Sequence, residues 1–144
     1  MQRRYSNSVV RVFEIDYESV MSELEEYARK SLDKGAKAVI LIGSLARGDY
    51  TAFSDADLII VVERSEKRFV DRSLDFMDPS LSVDIEPRVY TLDEIIEMSK
   101  QGRKLIGEIL EYGKLLAGEK RIIEIISENF RYKDRSVRLK RDKQ

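Results

Sequence analysis

The sequence predicts an α/β domain in which a small mixed β-sheet is packed with helices. The expected strand order is 1-2-3, with strand 1 antiparallel to strand 2 and strand 2 parallel to strand 3. Two apolar runs, at residues 38–42 and 58–62, carry most of this prediction. Short runs rich in β-branched residues are typical of buried strands. A third strand is predicted at residues 81–90, after a helical segment long enough to connect two parallel strands.

The N-terminal elements follow from residue periodicity and helix-end signals. Residues 9–15 are rich in Val and Ile and predict a short strand. Apolar residues then recur at helical spacing through residues 17–33, with Asp16 as the expected N-cap. Gly35 follows as a typical helix stop, so the first core strand is expected at residues 37–42.

The central elements are a second core strand, a helix and the third strand. The second strand is expected at residues 56–63, and residues 67–77 have the apolar spacing of a helix. The apolar residues that share one face of this predicted helix are Phe69, Val70, Leu74 and Met77. After the third strand, Thr91 and Glu94 form a capping-box pattern that begins another helix.

The C-terminal part is expected to contain a helix at residues 104–112, an edge strand at 114–117 and a helix at 119–130. We expect one compact domain over residues 1–130 and a flexible basic tail over 131–144. The tail carries seven basic and two acidic residues, a net charge of +5. A solvated end is favoured over a segment that binds RNA, an acidic partner or a triphosphate.

Composition narrows the chemistry that the chain can perform. Among 144 residues there is no Cys and no His, which excludes disulfides, thiolate zinc sites, histidine acid–base chemistry and a Ser-His-Asp triad. The net charge of −1 gives no overall attraction for nucleic acid, although local binding stays open. Apolar runs are far shorter than a membrane span, so we expect a soluble cytoplasmic protein.

Two aspartates stand at the start of the second core strand. Strand side chains alternate, so Asp55 and Asp57 are expected to share one face. Neighbouring carboxylates repel each other, and a bound Mg²⁺ ion would relieve that repulsion. For an isolated Asp-x-Asp pattern, a turn followed by a strand-edge charge is the more frequent interpretation.

A Gly-Ser pair follows the first core strand and favours a ligand site over a simple turn at Asp55 and Asp57. Gly43 permits close backbone approach to a ligand, and Ser44 can cap a short helix whose free amides attract phosphate. The alternative is an ordinary strand-to-helix turn with Ser as the N-cap. Ten residues separate Ser44 from Asp55, and both motifs are flanked by apolar strands.

Gly43-Ser44, ten residues and then Asp55-x-Asp57 resembles the signature of the DNA polymerase β-like nucleotidyltransferase superfamily. Gly-Ser-x-Ala-Arg-Gly followed by Ser-Asp-x-Asp is similar, more narrowly, to the minimal nucleotidyltransferases. Those are small proteins often paired with a HEPN-domain partner, including toxin–antitoxin pairs. The resemblance covers about residues 35–87 and implies the nucleotidyltransferase fold.

The superfamily pattern also implies a third carboxylate on a later strand. Asp84 lies between Val83 and Ile85, as the apolar-Asp-apolar pattern expects, and it is the favoured candidate. Glu86 would share the same face and is the rival candidate. Pro87 follows Glu86, which suits a solvated acid on an edge strand.

The resemblance implies roles for these residues. Asp55 and Asp57 would hold Mg²⁺ on a nucleotide triphosphate, and Asp84 would complete a second metal position, giving a two-ion site. Gly43 and Ser44 would bind the β- and γ-phosphates.

Arg47 lies one turn into the predicted short helix. A contact with phosphate or a partner protein and an ion pair with Asp49 are equally favoured for it.

Three functions follow from the resemblance. The first is transfer of a nucleoside monophosphate, AMP from ATP, to an acceptor hydroxyl on a HEPN-type partner protein. The second is modification of a small molecule, as in the aminoglycoside nucleotidyltransferases. The third is a non-catalytic antitoxin with a vestigial site, which the presence of all three carboxylates disfavours. A second copy of the chain is an open alternative as the partner that completes the site.

Overall fold

The computed structural model describes the backbone of residues 2–131 and the side chains of residues 17–131. Its elements, in chain order, are α1 (Gln2–Asp33), β1 (Ala36–Ile42), α2 (Ser44–Arg47), β2 (Ala56–Val62), α3 (Phe69–Leu74), β3 (Ile85–Thr91), α4 (Leu92–Lys100), α5 (Lys104–Tyr112), β4 (Lys114–Gly118) and α6 (Lys120–Asn129). The predicted basic tail lies outside the described residues except for Arg131. The division into a domain and a tail therefore stays a prediction.

The four strands form one mixed sheet in the order β3-β2-β1-β4. β1 runs antiparallel to β2, and β2 runs parallel to β3. These are the directions that the sequence predicts, so the mixed α/β fold class is confirmed. The predicted edge strand is β4, which pairs antiparallel with β1 and widens the sheet beyond the order 1-2-3.

Each face of the sheet is covered by its own hydrophobic core. On one face, α1 contributes Leu24, which belongs to the same buried cluster as Leu58 and Ile60 of β2. On the other face, α4, α5 and α6 bury Ile59 and the neighbouring apolar side chains. Strand side chains alternate between faces, so Asp57 lies on the same face as Ile59. The acidic end of β2 therefore belongs to the α4–α6 side of the molecule.

The first helix is longer than the sequence predicts. Residues 9–15, predicted as a strand, belong to α1, and Asp16 lies within this helix rather than at its N-cap. No Gly or Pro interrupts the sequence between residues 2 and 33, so a helix established downstream can extend toward the N-terminus. Continuous helix formation overrides the β preference of the Val and Ile residues.

The crossover helix α3 is shorter than predicted, and its apolar face is exposed. It covers Phe69–Leu74 rather than residues 67–77. The apolar side chains predicted to share one helix face are each at least 40% exposed: Phe69, Val70, Leu74 and Met77. The residues that this segment buries are Arg72 and Phe76. Arg72 donates two hydrogen bonds to the Glu94 carboxylate and one to the Val89 carbonyl, which anchors α3 to β3 and α4.

Within the described residues, no helix combines the length and the apolar character that a membrane span requires.

Candidate functional site

The candidate site begins where β1 ends and β2 starts, because these antiparallel strands bring the two motifs to one edge of the sheet. Ile42 pairs with Asp57, and Gly43 follows directly with a φ of 80°. A Cβ atom added to Gly43 would overlap the Asp57 carboxylate and would lie 3.1 Å from its Cγ. Only glycine fits this position without displacing Asp57.

Ser44 connects the Gly-Ser turn to the loop that precedes Asp55. Its hydroxyl donates a 2.9 Å hydrogen bond to the Ser54 Oγ atom, which also accepts the Thr51 backbone N–H at 2.8 Å. The Gly43 carbonyl accepts the backbone N–H groups of the residues that complete the short turn of α2. These bonds fix the loop against α2 and hold Asp55, which is exposed, at the mouth of the site.

The third strand places Glu86, rather than Asp84, directly beside Asp57. The parallel register pairs Asp57 with Glu86. β3 begins at Ile85, so Asp84 precedes the strand, and its backbone carbonyl accepts the Ala56 N–H at 2.8 Å. Paired residues on adjacent strands share a face. The register therefore favours Glu86 as the third carboxylate, a change from the sequence-based preference for Asp84.

The electrostatics of Asp57 reflect this close pairing. Partial burial raises the pKa of Asp57, and the hydrogen bond and negative charge of Glu86 raise it further. The negative charge of Asp55 acts in the same direction, whereas the positive charge of Arg88 lowers the pKa. Two carboxylates paired across adjacent strands repel each other, and a proton or a cation between them relieves that repulsion. The Asp57–Glu86 pair is therefore suited to receive positive charge.

The carboxylates of this sheet edge offer oxygen ligands, the kind that Mg²⁺ prefers. In the part of the chain whose side chains are described, no group of three or more acidic side chains is arranged to hold a metal ion. Mg²⁺ in nucleotide sites takes one or two carboxylates and fills its other positions with water and phosphate oxygens. The all-oxygen Asp57–Glu86 pair meets that smaller requirement, so it fits an ion that arrives with a triphosphate.

Arg47 lies at the same sheet edge, and its guanidinium already contacts Asp49 and Tyr112. Its Nε atom lies 3.2 Å from both Asp49 carboxylate oxygens, and its guanidinium stacks over the Tyr112 ring at 5.4 Å. It also donates a 3.1 Å hydrogen bond to the Tyr112 hydroxyl. These bonds to Tyr112 and Asp49 raise the pKa of Arg47. The ion pair considered from the sequence is present, and a phosphate contact stays a prediction.

Two residues of this region, Tyr112 and Arg88, were not identified from the sequence. Tyr112 reaches the site because β4 returns along β1, a pairing that no local pattern specifies. Arg88 follows Glu86 by two positions on β3, and strand alternation was the available signal that it shares that face. Its Nε atom is buried and has no hydrogen-bond partner among the described residues.

Comparison with known protein families identifies the class to which this fold and site belong. Residues 21–135 match the model of the nucleotidyltransferase domain, and the chain belongs to this family. The comparison with curated proteins gave no match.

Solved structures with a similar fold include a chain of a toxin–antitoxin with AMP-PNP, with 17% identity over 83% of this chain and 89% of that chain, at a TM-score of 0.46. A chain of the toxin–antitoxin MntA–HepT is 14% identical over 88% of this chain and 89% of that chain, at a TM-score of 0.46. A chain of the tri-AMPylated Shewanella oneidensis HEPN toxin in complex with MNT antitoxin is 12% identical over 89% of both chains, at a TM-score of 0.45.

Proposed function

We propose that this protein transfers AMP from ATP to a hydroxyl group of a HEPN-type partner protein and releases pyrophosphate. The observation that carries this proposal is the position of Asp57, which lies between Gly43 and Glu86 at one end of the sheet. Membership of the nucleotidyltransferase domain family supports the reaction class. The Gly-Ser and Asp-x-Asp motifs, which resemble those of the minimal nucleotidyltransferases, support the acceptor class.

The triphosphate would lie against the turn formed by Gly43 and Ser44. Gly43 has no side chain to obstruct the approach of phosphate oxygens, and the Ser44 hydroxyl offers a hydrogen bond. Asp57 and Glu86 would hold Mg²⁺, which would neutralise phosphate charge and orient the α-phosphate, and the exposed Asp55 would add its negative charge beside them. Residue positions and charges, rather than a histidine base, would supply most of the catalytic effect.

The transfer is an in-line displacement at the α-phosphorus. The acceptor hydroxyl oxygen forms the new bond to the α-phosphorus, while the bond to the bridging oxygen of pyrophosphate breaks. The hydroxyl proton passes to the carboxylate of Glu86. Asp57 is held in place by its packing against Gly43, so its carboxylate stays aligned with Glu86 through the step.

The test is transfer of label from [α-³²P]ATP in the presence of Mg²⁺ and a HEPN-domain protein from the same genome. We expect label on the partner protein, loss of that label with Asp57→Ala, and normal labelling with Asp93→Ala. Asp93 is an exposed acid on α4, beyond the opposite end of β3, and serves as a matched control.

Two results would contradict the proposal. Transfer of label to an aminoglycoside, with none to the protein, would instead identify a small-molecule enzyme. Equal inhibition of the partner by wild type and Asp57→Ala, without any transfer, would identify a non-catalytic antitoxin.

A further inference from the structure

Arg88 is a positively charged residue placed beside the carboxylates of the candidate site. In the parallel register, Glu86 pairs with Asp57, and Arg88 pairs with Ile59. Residues two apart on a strand share a face and are separated by about 6.6 Å along it. Arg88 is thus the next side chain after Glu86 on the α4–α6 side of the sheet.

The guanidinium of Arg88 is incompletely satisfied within the described residues. Its Nε atom is buried and has no hydrogen-bond partner. Arg72, the other arginine that contacts β3, makes four hydrogen bonds, to Lys67, Val89 and the two carboxylate oxygens of Glu94. A buried guanidinium nitrogen without a partner carries a desolvation cost, which a favourable interaction of the arginine charge with nearby carboxylates would offset.

An electrostatic role fits the register, which places Arg88 on the same face as the Asp57–Glu86 pair and two positions beyond Glu86 on β3. Asp57 and Glu86 face each other on adjacent strands, and Arg88 follows Glu86 on the same face of the sheet. Arg88 therefore offsets part of the repulsion between the two carboxylates while no other cation is present. The same charge also repels a divalent cation that approaches the pair.

We propose that Arg88 is a positioning residue that acts as the resident counter-charge of the Asp57–Glu86 pair, so that a divalent cation binds the bare protein weakly and enters together with the triphosphate. This inference rests on the proposed function. A triphosphate brings its own negative charge, which attracts both the cation and Arg88. Nucleotide binding thereby removes the penalty that Arg88 imposes on cation binding.

The test is the affinity of the purified protein for Mn²⁺ without nucleotide, measured by isothermal titration calorimetry at low ionic strength. We expect Arg88→Gln to bind Mn²⁺ about five-fold more tightly than wild type, the size expected for one unit charge across several ångströms of partly solvated protein. Arg88→Lys keeps the charge and should bind Mn²⁺ within two-fold of wild type. Arg64→Gln, which removes an exposed charge two residues beyond β2 at the opposite end, should also match wild type.

Folding is checked by circular dichroism, and Arg88→Met provides a second neutral variant whose aliphatic stem packs like that of arginine. Unchanged or weaker Mn²⁺ binding by a folded neutral variant would overturn the inference. So would a result in which the neutral variants lose affinity only for Mn²⁺ with AMP-PNP, because Arg88 would then be a phosphate contact.

The proposed function has a separate readout in the same experiment. Wild type should bind Mn²⁺ with AMP-PNP. If wild type does not, the proposed function fails, whatever the variants do. If wild type binds this complex and the neutral variants leave Mn²⁺ affinity unchanged, only the role of Arg88 fails.

Discussion

Replacement of Gly43 by alanine tests the packing that holds Asp57 in position. Gly43 has a φ of 80° and a ψ of −165°, a backbone conformation that is essentially restricted to glycine. The added methyl group would overlap the Asp57 carboxylate and would also lie within 3.3 Å of its Cβ. Rotation of the carboxylate alone does not relieve both contacts, so we expect the Asp57 side chain to move away from Glu86.

The matched control is Gly48→Ala. Gly48 has a φ of 97°, and a Cβ added there meets nothing within 4 Å. Gly48→Ala therefore introduces backbone strain of about 1 kcal/mol without touching the site. Gly43→Ala combines about 1–3 kcal/mol of backbone strain with the displacement of a side chain. Both costs are below the stability of about 5–15 kcal/mol that is usual for a folded domain, so both variants should fold.

The assay combines urea unfolding with AMP transfer. We expect Gly43→Ala to lose about 2–4 kcal/mol of unfolding free energy. Its transfer rate should fall by about 100-fold, as expected when a reacting group is misplaced by about 1 Å. Gly48→Ala should retain the transfer rate of wild type. Equal transfer rates for the two folded variants would refute the idea that close packing between Gly43 and Asp57 aligns the site.

Three further predictions concern charge and burial. Burial and Glu86 raise the pKa of Asp57, so its ionisation costs stability at pH values above its ordinary range. Asp57→Asn should therefore stabilise the protein without nucleotide by about 1 kcal/mol at pH 7, after allowance for solvent screening. Urea titrations should show this gain in unfolding free energy disappear as the pH falls through the ordinary pKa range of an aspartate. The hydrogen bond from Arg72 lowers the pKa of Glu94, so its stabilisation is present above its ordinary pKa and lost as pH falls through the lowered value. Glu94→Gln keeps the capping geometry and should cost about 1 kcal/mol at pH 7. Urea titrations should show this cost decrease as the pH falls below the ordinary pKa range of a glutamate. Leu74→Ser, at a position 70% exposed, should change the unfolding free energy by less than about 0.5 kcal/mol, whereas Ile60→Ala, at a fully buried position, should cost about 2–5 kcal/mol.

The sequence predicts the sheet well because its central strands are defined locally. Residues 38–42 and 58–62 are nearly continuous apolar runs, and both strands are buried on both faces. If Gly43 and Asp57 belong to one site, the first two core strands must be antiparallel. The structure confirms this direction, because β1 and β2 pair antiparallel.

The choice between Asp84 and Glu86 could not be made from periodicity. Residues two apart in an extended chain share a face, so strand alternation places Asp84 and Glu86 on the same side of the sheet and does not distinguish them. The register of β3 decides between them, and it depends on a pairing with Ala56, which is distant in sequence. β3 begins at Ile85 rather than at residue 81, so Asp84 precedes the strand, and the register places Glu86 opposite Asp57.

The exposure of the apolar face of α3 also could not be predicted from periodicity. The spacing of Phe69, Val70, Leu74 and Met77 indicates that one helix face is apolar, but spacing does not show what lies against that face. In the structure, the crossover is anchored instead by the bonds of Arg72 to Glu94. Such a polar anchor between distant residues has no periodic signal in the sequence.

The most direct test of the account compares AMP transfer by Glu86→Gln and Asp84→Asn under identical conditions with Mg²⁺ and ATP. If the carboxylate opposite Asp57 completes the site, Glu86→Gln should lose at least about 100-fold of the transfer rate, while Asp84→Asn should stay within a few-fold of wild type. Full transfer by Glu86→Gln, with loss of transfer by Asp84→Asn, would contradict the pairing on which the site is built.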